Sequence, residues 1–286
     1  VTIVVGYDGS PASEAAVRWA ADEADRRSWS LRLTYVLPLP MLRSPTGVTT
    51  PLPADAVRRT AEKLLGEVAE RIRTDDPELA VDAVVSFGSA AEVLLQEATE
   101  ASMVVVGSRG LGEFRDLAMG SVAAHVATHA PCPVVIIPPR WESGPPTGEV
   151  VVGVDGSGLS LDAVEFAYEA AQARRARLIA VMAWHDPVST GPDDPLPVVY
   201  DLDALEQQSA ALLAESIAGH RERYPDVAVR QELVHGRPDD VLVAAGRTAD
   251  LLVVGSRGHG AFRGLLLGST SRSLVHHAPC PVAVVR

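Results

Sequence analysis

Short runs of consecutive aliphatic and β-branched residues alternate along this chain with longer stretches whose apolar positions recur every three to four residues. In the first half the runs are Thr2–Tyr7, 32–37, 81–86, 103–106 and Val134–Ile137. Runs without polar alternation read as strands buried on both faces, as in a parallel sheet covered by helices. Between them, Ala61, Leu64, Leu65, Val68, Ala69 and Ile72 share one helical face, the spacing that lays an apolar stripe against a sheet. Ser10-Pro11 opens the first helix with a capping residue followed by proline at its first position. The second half repeats the plan, with helices expected near 161–173, 203–217 and 239–246.

The repetition extends to residue identities. Val4-Val5-Gly6-Tyr7-Asp8-Gly9-Ser10 returns 147 positions later as Val151-Val152-Gly153-Val154-Asp155-Gly156-Ser157. Val105-Val106-Gly107-Ser108-Arg109-Gly110 returns 148 positions later as Val253-Val254-Gly255-Ser256-Arg257-Gly258, so one residue was gained in between. A period of half the chain marks a tandem duplication. The expected domains are residues 1–140 and 149–286, joined by a Gly- and Pro-rich linker at 141–148. The predicted fold class is α/β: two tandem doubly wound domains, each a five-stranded parallel sheet with helices on both faces.

In such a sheet ligands bind beyond the carboxyl ends of the strands. There the first half has Gly107-x2-Gly110-x9-Gly120-Ser121, and the second has Gly255-x2-Gly258-x9-Gly268-Ser269. Glycines admit close approach of backbone N–H groups to phosphate oxygens, and each Gly-Ser pair opens a helix whose N-terminus favours anions. Asp8 and Asp155 follow the first strand of each half, placed either to accept hydrogen bonds from a ribose or base or to cap their own turn. Arg109 and Arg257, with Arg115 and Arg263, are placed to reach phosphate oxygens. Glu113 and Asp116 in the first loop become Ala261 and Gly264 in the second, so the first site is expected to depend more on magnesium.

Composition narrows the partners. The 286 residues carry a net charge of -12, which repels polyanions and anionic membranes, and no apolar run approaches the length of a transmembrane helix. Neither a nucleic-acid nor a membrane partner is expected. Lys63 is the only lysine and sits in a helical pattern, so no phosphate loop of the lysine type is present. No basic-then-apolar leader precedes the first strand, and Cys132 and Cys280 occupy duplicated surroundings instead of a disulfide framework, so a reducing cytoplasm is expected. His125 and His129 stand four apart on an expected helix, a spacing able to bind metal, but without a third ligand they are read as a solvated or packed pair and no metal site is assigned.

Val-Gly-x-Asp-Gly-Ser, the Gly-x2-Gly-x9-Gly-Ser loop and the Pro-Cys-Pro-Val strand together resemble the universal stress proteins, over both halves and in the tandem form common in actinobacteria. The resemblance implies adenine nucleotide alpha hydrolase-like domains that bind ATP, and a dimer of tandem chains. Carried over by position, it implies a first site of Asp8, Val36, Gly107, Gly110, Gly120, Ser121 and Val122. The second would use Asp155, Ala183, Gly255, Gly258, Gly268, Ser269 and Thr270. The expected function is a nucleotide-dependent regulator of stress response or growth, with a protein partner and little or no catalysis. The alternatives are a slow ATPase or nucleotidyl-transfer enzyme on the same scaffold, and a structural module that nucleotide merely stabilises.

Overall fold

The apolar runs at Thr2–Tyr7, 103–106 and Val134–Ile137 form strands almost wholly withdrawn from solvent, with Ile3, Val5, Met103, Val104 and Val105 all 0% exposed, whereas the run at 81–86, expected to be buried on both faces, forms a strand at the end of the sheet order in which Asp82 and Ala83 are exposed. The computed structural model describes residues 1–38, 41–43, 49–51, 54–110, 120–139, 141–142, 144–185, 201–258 and 267–286. It divides into two compact units, Val1–Pro145 with Pro281–Val284 and Arg286, and Pro146–Cys280 with Val285.

The first unit runs β1 (Thr2–Tyr7), α1 (Pro11–Arg27), β2 (Ser30–Leu37), β3 (Met41–Arg43), β4 (Thr49–Pro51), α2 (Ala54–Asp75), β5 (Val81–Phe87), α3 (Ala90–Glu97), β6 (Met103–Gly107), α4 (Ser121–His129) and β7 (Val134–Ile137). Its parallel strands are ordered β7-β6-β1-β2-β5, so the chain reverses its direction of sheet growth between β1 and β6. That reversal opens a crevice at the carboxyl ends of β1 and β6. Its β7 edge is continued by an antiparallel strand, Val282 pairing with Ile136 and Val284 with Val134. The β3–β4 hairpin, which the apolar pattern does not foretell, forms its own two-stranded ladder.

The second unit runs β8 (Glu149–Gly153), α5 (Gly158–Arg174), β9 (Arg177–Trp184), α6 (Leu202–Ala218), β10 (Val229–His235), α7 (Pro238–Ala245), a short 3-10 turn, β11 (Leu251–Gly255) and α8 (Ser269–His277), after which the chain ends in β12 (Val282–Val285). Here β10-β9-β8-β11 repeat the parallel order.

Glycines on the strands show which helix covers which face. A Cβ on Gly6 would press on Leu94 of α3 at 3.0 Å, whereas one on Gly107, the next row of the sheet, would meet the backbone of Ala12 in α1 at 2.8 Å. Helices therefore lie on both faces of the sheet. Gly153 against Leu242 of α7 and Gly255 against Leu159 of α5 repeat the arrangement. The stripe on α2 packs as its period requires, with Leu65 0%, Ala69 1% and Val68 4% exposed; Leu64, at the margin of the stripe, stays 43% exposed. No helix among the described residues is long and apolar enough to cross a membrane.

Candidate functional site

Tyr7 is the last residue of β1, and the chain turns directly through Asp8-Gly9-Ser10 into α1. Gly9 sits at φ +80° and its counterpart Gly156 at φ +79°, the left-handed region where a side chain costs energy. Asp8 braces the turn: its Oδ1 accepts the Ser10 N–H at 2.9 Å, and its own N–H donates to Ser13 Oγ at 3.4 Å. Ser10 Oγ in turn accepts the Ser13 N–H at 3.1 Å, which caps α1. The second half repeats this with Asp155 Oδ1 accepting from Ser157 N–H at 3.0 Å, Asp155 N–H donating to Ser160 Oγ at 3.0 Å, and Ser157 Oγ capping Ser160 at 3.3 Å. The turn in each half thus uses Oδ1 of its aspartate. Oδ1 belongs to the turn, while Oδ2 faces the glycine loop, because a Cβ on Gly110 would collide with Asp8 Oδ2 and one on Gly258 with Asp155 Oδ2.

The loop itself is pinned at both ends. Ser108 N–H donates to Ile137 O at 2.8 Å, and Gly120 N–H donates back to Ser108 O at 2.7 Å. In the second half Ser256 N–H reaches Val285 O at 2.7 Å and Gly268 N–H reaches Ser256 O at 2.8 Å. Ser10 Oγ also donates to Arg109 O at 3.4 Å, joining the first turn to the loop. The residues between Gly110 and Gly120, and between Gly258 and Leu267, include Glu113, Arg115, Asp116, Ala261, Arg263 and Gly264; these lie outside the described residues.

Gly120 and Gly268 are the N-caps of α4 and α8 and supply no capping side chain. The first intrahelical bonds run from Ala124 N–H to Gly120 O and from Arg272 N–H to Gly268 O, both 3.0 Å, so the N–H groups of the three preceding residues stand before the ladder begins. Neither first turn contains an acidic residue. This end of each helix is therefore an anion-seeking group of donors beside a loop that carries an exposed arginine, Arg109 or Arg257.

Sheet register places the remaining carried-over residues. Gly6 pairs with Thr34 and Gly153 with Val181, which puts Val36 in the row of Asp8 and Ala183 in the row of Asp155. On the next strand their partners are Ser86 and Val234. The residue gained between the two offsets thus falls between β9 and β10. Ser121 and Ser269 are exposed at the first helical position, with Val122 and Thr270 half-buried behind them. Beside the site, burial and the Glu14 carboxylate, which accepts from Tyr7 Oη at 2.6 Å, push the Tyr7 hydroxyl well above its ordinary pKa, so it remains a donor.

Ser13 and Ser160 are site-forming residues that the motif reading overlooks, although Asp-Gly-Ser-x-x-Ser stands in both halves. Ser108 and Ser256, each 1% exposed, have hydroxyls with no hydrogen-bond partner among the described residues. The cysteines are buried and free, and burial pushes Cys132 up to about 11 and Cys280 up to about 12. A protonated, enclosed thiol fits packing and not redox exchange.

The duplication has a known counterpart. The model of the universal stress protein family matches residues 2–138 and again residues 147–286. The chain belongs to the universal stress protein family. One universal stress protein of Mycobacterium tuberculosis is 37% identical over 306 positions, covering 99% of this chain and 94% of that one. A second from the same organism is 36% identical over 294 positions, covering 99% and 96%. Among solved structures, a universal stress protein from Archaeoglobus fulgidus has the same fold, with a TM-score of 0.70 over 99% of this chain and 97% of that one at 21% identity. The tandem universal stress architecture is thus shared along the full chain.

Proposed function

We propose that each half of this universal stress protein holds one ATP, and that occupancy regulates a stress or growth response in the cytoplasm with little or no catalysis. The observation that carries this reading is the twofold recurrence of one geometry. In both halves a strand-end carboxylate turns Oδ2 toward a glycine loop, and that loop closes onto a helix N-terminus free of acidic residues. The donors suit phosphate oxygens, and Asp8 and Asp155 suit ribose hydroxyls. Val36 and Ala183, one strand over in the same row as the aspartates, would meet the base.

A regulatory reading is favoured because the chemistry at hand binds and does not activate. Lys63, the only lysine, is exposed on α2, and each strand-end aspartate already accepts turn N–H groups through Oδ1. Glu113 and Asp116 would hold magnesium, whose charge would offset theirs beside the phosphates, making that site the more EDTA-sensitive of the two. The same reading takes the working form as a dimer of tandem chains that a regulatory protein recognises; light scattering showing one chain per particle with nucleotide bound would remove the dimer from it. The decisive assay measures turnover. Steady-state hydrolysis well below about 1 per second supports a regulator, and turnover in the ordinary enzyme range supports an ATPase or nucleotidyl-transfer enzyme.

A further inference from the structure

The cradle helix α4 carries a second chemistry on its outer side. His125 and His129 are both exposed, four residues apart, with ring centroids 4.3 Å apart and planes inclined by 30°. His129 Nδ1 lies 2.9 Å from His125 O. A carbonyl only accepts, so Nδ1 carries the proton and the Nε2 lone pair of His129 is left for a ligand. Donation of one ring N–H to a backbone carbonyl is also what orients imidazoles that bind metals and raises their basicity. His129 stands in the last turn, where the helix carries partial negative charge that attracts a cation.

We infer that His125 and His129 form a bis-imidazole site for a divalent transition metal of the zinc, copper or nickel class. The ion takes two ligands from α4 and fills its other positions with water, since no group of three or more His, Cys, Asp and Glu gathers around a metal among the described residues. It is an exchangeable surface site and not a structural one. The second half provides a control within the same chain. His277 makes the same 2.9 Å contact to the carbonyl four residues back, but that residue is Ser273, so one imidazole is missing. The neighbouring His276 stands 6.0 Å from His277 at 55°, and adjacent helical positions do not share a face.

The test uses the untagged 286-residue chain and Zn2+ alone, followed by calorimetric titration and by imidazole NMR. The expected result is one Zn2+ per chain, with perturbed His125 and His129 resonances. His125→Gln or His129→Gln should weaken binding about tenfold or more, while His277→Gln leaves it unchanged. All three positions are surface sites, and equal thermal midpoints without metal verify that the variants fold. Absence of binding, affinity unchanged in both α4 variants, or an equal loss in His277→Gln would overturn the assignment.

Discussion

At the residue scale, two glycines of the same motif are required for different neighbours, and this separates binding from stability. A Cβ at Gly107 would stand 2.8 Å from the backbone of Ala12, which cannot step aside without moving α1 off the sheet. Gly107→Ala, and Gly255→Ala against Leu159, should therefore destabilise the fold by about 1–3 kcal/mol, read as a lowered midpoint in urea. Among the described residues a Cβ at Gly110 meets only the Asp8 carboxylate, so Gly110→Ala should leave the midpoint nearly intact and reduce ATP affinity at the first site by at least about tenfold. Equal stability losses in the two variants would contradict this division. The thiols give a prediction with a defined sign. Folding raises Cys132 and Cys280 to about 11 and about 12 from 9.0, so the stability they contribute is complete below pH 9 and is lost as pH rises through those values. Alkylation by iodoacetamide at pH 8 should require unfolding; labelling of native protein within minutes would show that the thiols are accessible.

At the scale of elements, the helix caps fasten the strand-end turns. Ser10→Ala removes the oxygen that receives Ser13 N–H and the bond to Arg109 O, and is expected to cost about 1 kcal/mol. The cradle helices differ in charge: Arg272 stands in the first turn of α8 where α4 has Ala124. Arg272→Ala should weaken nucleotide binding at the second site by two- to fivefold, about 0.3–1 kcal/mol, with the difference shrinking at high salt. No change in second-site affinity at low salt would show that Arg272 does not face the ligand. The elements themselves were largely legible, because a run such as Val104-Val105-Val106 has no other way to bury itself and the α2 stripe has a single period. What escaped was weakly signalled or neighbour-dependent: α3 is as short as α7 but lacks the opening proline and the two first-turn aspartates that mark α7, and the β3–β4 hairpin lies apart from the main sheet. At the site, a glycine pattern tells that a Cβ is excluded but not what excludes it. Phosphate was the expected neighbour of Gly107 and Gly110, yet Ala12 and Asp8 already demand glycine there. The division of Asp8 between Oδ1 and Oδ2 was equally out of reach, since turn and ligand roles call for the same residue type.

At the scale of the whole molecule, duplication turns one weak motif into a repeated measurement. Each half places its aspartate, glycine loop and helix N-terminus in the same relation, while neighbouring positions have diverged. The two halves differ at positions such as Ser273 for His125 and Arg272 for Ala124. The central claim is two nucleotide sites per chain. It is tested most directly by denaturing protein purified without added nucleotide, then identifying and counting the released small molecules by chromatography and mass spectrometry, with titration of the emptied protein as the second step. The account predicts adenine nucleotide approaching two per chain, or two ATP taken up on titration. Empty protein that takes up none on titration, in a folded chain, would contradict it.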